Sequence, residues 1–117
     1  MTNITIQASG GSGGAPGTFR LTAVGHATGS GPTTGSGGVC AAVSGLVYAL
    51  GGYLKNLERA GAVELRTFLL ESGCAELEAT GDAARAPFEM AAVGLLQIAA
   101  SYPEQARAEV KNFSRSG

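Results

Sequence analysis

An α+β fold, with helices packed on an antiparallel or mixed sheet, is the architecture this sequence predicts. Three observations predict it. Apolar and polar residues alternate in four short stretches, two longer stretches repeat apolar residues every three to four positions, and the stretches follow the order β-β-α-β-β-α. The 117 residues suit a single domain, taken here as 1–117.

Ile4 and Ile6 alternate with Thr5 and Gln7, and Phe19, Leu21 and Ala23 alternate with Arg20 and Thr22. That is the period of two that half-buried strands require. Between these strands, residues 9–17 are almost entirely Gly and Ser and bury nothing, so they are expected to form a long, mobile hairpin tip. Its glycines are not a phosphate loop, because no Gly-Lys-Ser/Thr closes it and no helical pattern follows. A second Gly-rich loop covers 28–38. From Val39 onward, Val43, Leu46, Val47, Leu50, Leu54 and Leu57 mark one face of a helix of about five turns. Gly45, Gly51 and Gly52 weaken that helix and suggest that another backbone comes close.

Val63, Leu65, Thr67 and Leu69, then Ala75, Leu77 and Ala79, alternate on either side of Glu71-Ser72-Gly73 as a second hairpin. Pro87 suits the first turn of a second helix, with Phe88, Ala92, Leu95, Ala99 and Tyr102 on its core face. Ser101-Tyr102-Pro103-Glu104 fits a capping box, so a short C-terminal helix carrying Ala106, Val110 and Phe113 is expected to follow.

Composition removes several function classes. Eight basic residues against nine acidic ones, with only Lys55 and Lys111 as lysines, leave no basic patch for nucleic acid or an anionic membrane surface. Two cysteines and one histidine cannot supply the four ligands of a structural zinc site, so neither metal nor cofactor is expected. The N-terminus lacks the basic-then-apolar pattern of a secretory signal. The run from Val39 to Leu54 is too short to span a bilayer. A cytoplasmic protein with reduced thiols is expected. A chain this small gains from a partner subunit, which favours a dimer.

The one histidine, His26, follows Gly25 at the exit of the second strand. Cys40 comes fourteen positions later, at the expected first turn of the long helix, where unpaired N–H groups and the helix dipole favour a thiolate. The intervening glycines let imidazole and sulfur meet as a Cys/His nucleophile pair, and the N–H of Ala41 could receive an oxyanion. Cys40 among Ala41, Ala42 and Val43 equally suits a packed core thiol. Cys74 shares a face with Glu76 and Glu78, whose charges oppose thiolate formation, and is the poorer candidate.

Gly25-His26-Ala27, a glycine-rich loop, and Val39-Cys40-Ala41-Ala42-Val43-Ser44 together resemble the signature of the ribosomal-processing cysteine proteases, the Prp family. The resemblance implies His26 as base, Cys40 as nucleophile, and Ser44 one turn further on facing the site, with Gly25 and Ala41 as supporting positions. It also implies removal of a short N-terminal extension, ending in aromatic residues, from a ribosomal large-subunit protein by a homodimer whose loop closes over the peptide. The sequence departs from the family at Gly37, where an acidic residue is usual three positions before the cysteine, and in its longer, charge-free loop. Those departures bear on which precursor is cut, ribosomal or phage, more than on the reaction. A noncatalytic dimeric module that binds a peptide or the ribosome is the competing reading.

Overall fold

In the computed structural model, which describes residues 2–10, 17–25, 35–71 and 73–112, five strands form one mixed sheet with two helices packed against it. Side chains at 35–37 and at Cys40 are outside that description. Strands β1 (Thr2–Gly10) and β2 (Gly17–Val24) make the first hairpin. Helix α1 (Gly35–Arg59) leads to β3 (Glu64–Glu71) and β4 (Cys74–Thr80), the second hairpin. A 3-10 turn, Asp82–Ala84, runs directly into α2 (Arg85–Ser101), and β5 (Ala106–Lys111) ends the fold. The spatial order is β3-β4-β2-β1-β5, with every pair antiparallel except β1 and β5.

The last element corrects the expectation of a short C-terminal helix. Ala106, Ala108 and Val110 alternate with Arg107, Glu109 and Lys111, a period of two that suits the edge of β1. Pairing with that edge satisfies a row of backbone groups that a short terminal helix would leave on their own. Tyr102 also departs from the expected core face: it ends α2 and is exposed. Phe113 lies outside the described residues, as do residues 11–16 of the expected hairpin tip.

Alternation in the strands sends Ile4, Ile6, Phe19, Leu21, Leu77 and Ala79 to the helical side of the sheet. Val39, Val43, Val47, Leu50 and Leu54 of α1 and Phe88, Ala91, Ala92 and Leu95 of α2 meet them there. Each large aliphatic side chain so buried contributes about 1.5–3 kcal/mol. The rings of Phe19 and Phe88 lie 5.8 Å apart and tie α2 to β2. On the open face of the sheet, Arg20 bridges to Glu76 and to Glu78, joining β2 to β4.

Two glycines set how closely elements approach. A Cβ at Gly51 would lie 3.2 Å from a Leu70 methyl and 3.4 Å from the Phe68 ring, so α1 presses on side chains of β3 at this point rather than on the backbone that was expected to come close. Gly45 and Gly52 have nothing within 4 Å, so the close approach expected of them does not occur. The tightest helix contact is at Gly94, where a Cβ would fall 2.8 Å from a methyl of Leu46. There α2 crosses α1.

Candidate active site

The sheet and α1 leave a cleft of about 440 Å³, counting its open mouth. Val43, Ser44, Val47 and Tyr48 of α1 form one wall. The end of β2, at Ala23 and Gly25, and Leu70, Glu71, Gly73, Cys74 and Ala75 of the second hairpin form the other. Thr2 closes one side. Its lining mixes aliphatic side chains with polar groups, a combination that ligand sites use.

The second wall is fixed by one joint. Gly25 leaves β2 with φ 87°, a region open to glycine but strained for other residues. In that conformation its N–H donates to the carbonyl oxygen of Gly73 at 2.8 Å. Gly73 itself has φ 79° in the tight turn that joins Glu71 to Cys74. The exit of β2 is thereby held against the tip of the β3–β4 hairpin.

Of the residues singled out by sequence, Gly25 and Ser44 both line this cleft, one on each wall. Ala41 is exposed on α1, one turn before the wall residues begin to repeat. Cys40 occupies α1 four residues before Ser44. His26 and the expected loop from 28 to 34 lie outside the described residues.

Helix α1 begins at Gly35, four residues earlier than expected, so Cys40 is the sixth helical residue and stands in the second turn. The N–H groups that helix geometry leaves unpaired belong to Gly35 through Gly38, and the dipole acts mainly within that turn. The unpaired amides expected beside Cys40 and Ala41 therefore sit one turn earlier.

Sequence reasoning assigned only Gly25 and Ser44 of the described lining to the site; Tyr48, Glu71 and Cys74 are instructive among the rest. Tyr48 had a usable signal, since positions 40, 44 and 48 follow one another at one-turn spacing. Glu71 and Cys74 had none, because their placement depends on the pairing of β4 with β2. Cys74 is a half-buried free thiol on the sheet face of Glu76 and Glu78, both of which are bound to Arg20. Among the described residues, no group of His, Cys, Asp and Glu is placed to hold a metal ion, and no helix is long and apolar enough to cross a membrane.

No family model matches the sequence, and no curated protein matches it. Solved structures do. An essential ribosomal processing protease, Prp from S. aureus, solved in complex with a covalently linked product peptide, superposes with a TM-score of 0.69 at 20% identity, over 95% of this chain and all of that one. The chain has the fold of Prp. SMU.848 from Streptococcus mutans superposes with a TM-score of 0.64 at 21% identity, over 95% of this chain and 94% of that one. The shared Prp fold thus extends over nearly all of both proteins.

Proposed function

We propose that this protein is a cysteine endopeptidase that removes a short N-terminal extension from a bacterial ribosomal large-subunit protein, or from a related phage precursor. The observation that carries the reading is the cleft itself. Gly25 of Gly-His-Ala and Ser44 of Val-Cys-Ala-Ala-Val-Ser are nineteen positions apart in the chain, yet they line opposite walls of one cavity. They do so in a fold shared with a protease that was solved holding a product peptide.

In the proposed mechanism His26 takes the thiol proton of Cys40, and the sulfur adds to the scissile carbonyl carbon. His26 then protonates the leaving amine as the C–N bond breaks, leaving a thioester. A water deprotonated by the same imidazole adds to the thioester carbon, and the sulfur leaves to regenerate the thiol. With α1 starting at Gly35, the activation of Cys40 falls chiefly to His26. The first turn holds three glycines, Gly35, Gly37 and Gly38, each of which weakens a helix by about 1 kcal/mol. Its unwinding on peptide binding is therefore cheap, and it would return Cys40 to the helix entrance and free the N–H of Ala41 for the oxyanion. Ser44 and Gly25 line the peptide's path.

The protease is proposed to work in the cytoplasm as a homodimer, without metal, cofactor or nucleic acid. Met90, Val93 and Leu96, exposed along α2, offer a second copy an apolar face to cover. The alternative, a noncatalytic homodimeric module with a packed cysteine, draws on the deeper position of Cys40 and on Gly37. Incubating precursor with wild-type and Cys40→Ser protein and reading the products by mass spectrometry separates the two. The protease reading requires a new N-terminus with wild type and intact precursor with the variant; bound but uncut precursor in both samples supports the module.

A further inference from the structure

We propose that the peptide entering the cleft pairs its backbone with the free edge of β3, along 67–71, as an added strand of the sheet. The inference rests on the reading of this cavity as a peptide site and adds how the peptide is held. The two outer strands of the sheet are β3 and β5, and they are protected differently. An outer strand leaves a row of N–H and C=O groups unpaired, and charged side chains and bulges keep other strands from adding there. On β5 an exposed charge stands at every second position, at Arg107, Glu109 and Lys111. On β3 the same devices are confined to the first half. Glu64 and Arg66 are exposed there, and the pairing with β4 shifts register between Leu65 and Thr67. Beyond that shift come Thr67, Phe68, Leu69 and Leu70, uncharged and in regular register with β4.

The unguarded half is the one that reaches the cleft, since Leu70 and Glu71 are among its lining. Among the described residues, β4 is the one strand paired with β3, and no further backbone hydrogen bond reaches 64–71. Phe68 and Leu70 stand opposite the buried Leu77 and Ala75, on the side of the helices, whereas Thr67 and Leu69 stand opposite Glu78 and Glu76 on the open face. On the helical side the Phe68 ring remains 38% exposed, and Tyr48, a cleft residue of α1 one turn before Gly51, remains 55% exposed. Alternate side chains of an added strand find apolar surface there, while its main chain supplies the hydrogen bonds. At about 3.4 Å per residue, 67–71 accommodates an extended segment of about five residues. A second copy suits this edge less well. Two-fold pairing centred on 67–71 sets the irregular start of β3 in each copy against the hairpin turn of the other, whereas a peptide needs the regular stretch alone.

The test uses the Cys40→Ser protein and fluorescein-labelled decapeptides that tile the precursor of the cleavage assay. Followed by NMR, the tightest-binding decapeptide should slow hydrogen exchange about tenfold or more at alternate amides within 67–71 and leave those of 107–111 unchanged. In anisotropy, N-methylation of that decapeptide one amide at a time should weaken binding about three- to tenfold at every second position of the paired run, the worth of one backbone hydrogen bond, and much less in between. Losses without a two-residue period, exchange at 67–71 that the peptide leaves unchanged, or no binding by any decapeptide overturns the proposal. Protection of 67–71 that rises with protein concentration in the absence of peptide assigns the edge to a second copy and overturns it as well. A precursor cut by wild type, together with any of these results, overturns the pairing and leaves the protease reading standing. Periodic losses and protection of β3, with a precursor that wild type leaves uncut, uphold the pairing and overturn the protease reading instead.

Discussion

The two helices of this fold begin in opposite ways. Helix α2 starts from a 3-10 turn whose Ala84 is fully buried, has Pro87 in its first turn, and buries Phe88 completely against Phe19. Its entrance is also tied to β2 by the hydrogen bond from the Gly81 N–H to the Gly17 carbonyl. Helix α1 starts with Gly-Ser-Gly-Gly and buries nothing described before Val39. Both helices then fill the same core. The difference teaches where the fold spends its stability: the α2 entrance is an anchor, whereas the α1 entrance, next to the cleft, is held in a helix at a conformational disadvantage that the proposed peptide binding would exploit.

Substitutions at the two entrances should therefore separate activity from stability. The largest effect is expected for Cys40→Ser, a loss of cleavage of about a thousandfold or more with little change in the urea midpoint. A comparable drop in both quantities would make Cys40 a packing residue and erase the contrast. At the other entrance, Phe88→Ala should cost about 3–5 kcal/mol in urea unfolding, enough to threaten a domain of this size. Gly25→Ala should cost about 1–2 kcal/mol, because φ 87° strains any residue with a Cβ, and it should slow cleavage by disturbing the joint with Gly73.

Gly38→Ala gives the smallest and sharpest effect. The added methyl meets nothing within 4 Å, so it should stabilise α1 by about 0.5–1 kcal/mol. If the first turn must unwind, the same change should slow cleavage. Gly52→Ala, equally open but far down the helix, should stabilise by a similar amount and leave the rate alone. Equal rates in the two variants would remove the functional half of the contrast.

Much of this architecture was legible because local pattern and tertiary need agreed. The alternation of Phe19, Leu21 and Ala23, and the helical face from Val39 to Leu57, match the buried sets closely. The final segment was misread because Ala106, Val110 and Phe113 also fit a helical spacing, and only the open edge of β1 decides for a strand. The start of α1 was placed too late, since glycine signals a loop and the pull of the following helix is not a local property. At the cleft, Gly25 and Ser44 are motif residues whose places depend on short-range structure, and both are among its lining. Glu71 and Cys74 enter the cleft through long-range strand pairing, which no residue pattern near them announces.

The central claim, a nucleophilic Cys40 activated by His26, is tested most directly by timed alkylation with iodoacetamide near neutral pH, with each cysteine followed by peptide mass spectrometry. The account predicts that Cys40 is modified much faster than Cys74 and that His26→Ala brings the Cys40 rate down to that of an ordinary thiol. A Cys40 that reacts no faster than Cys74, or whose rate is the same with and without the imidazole, would contradict it.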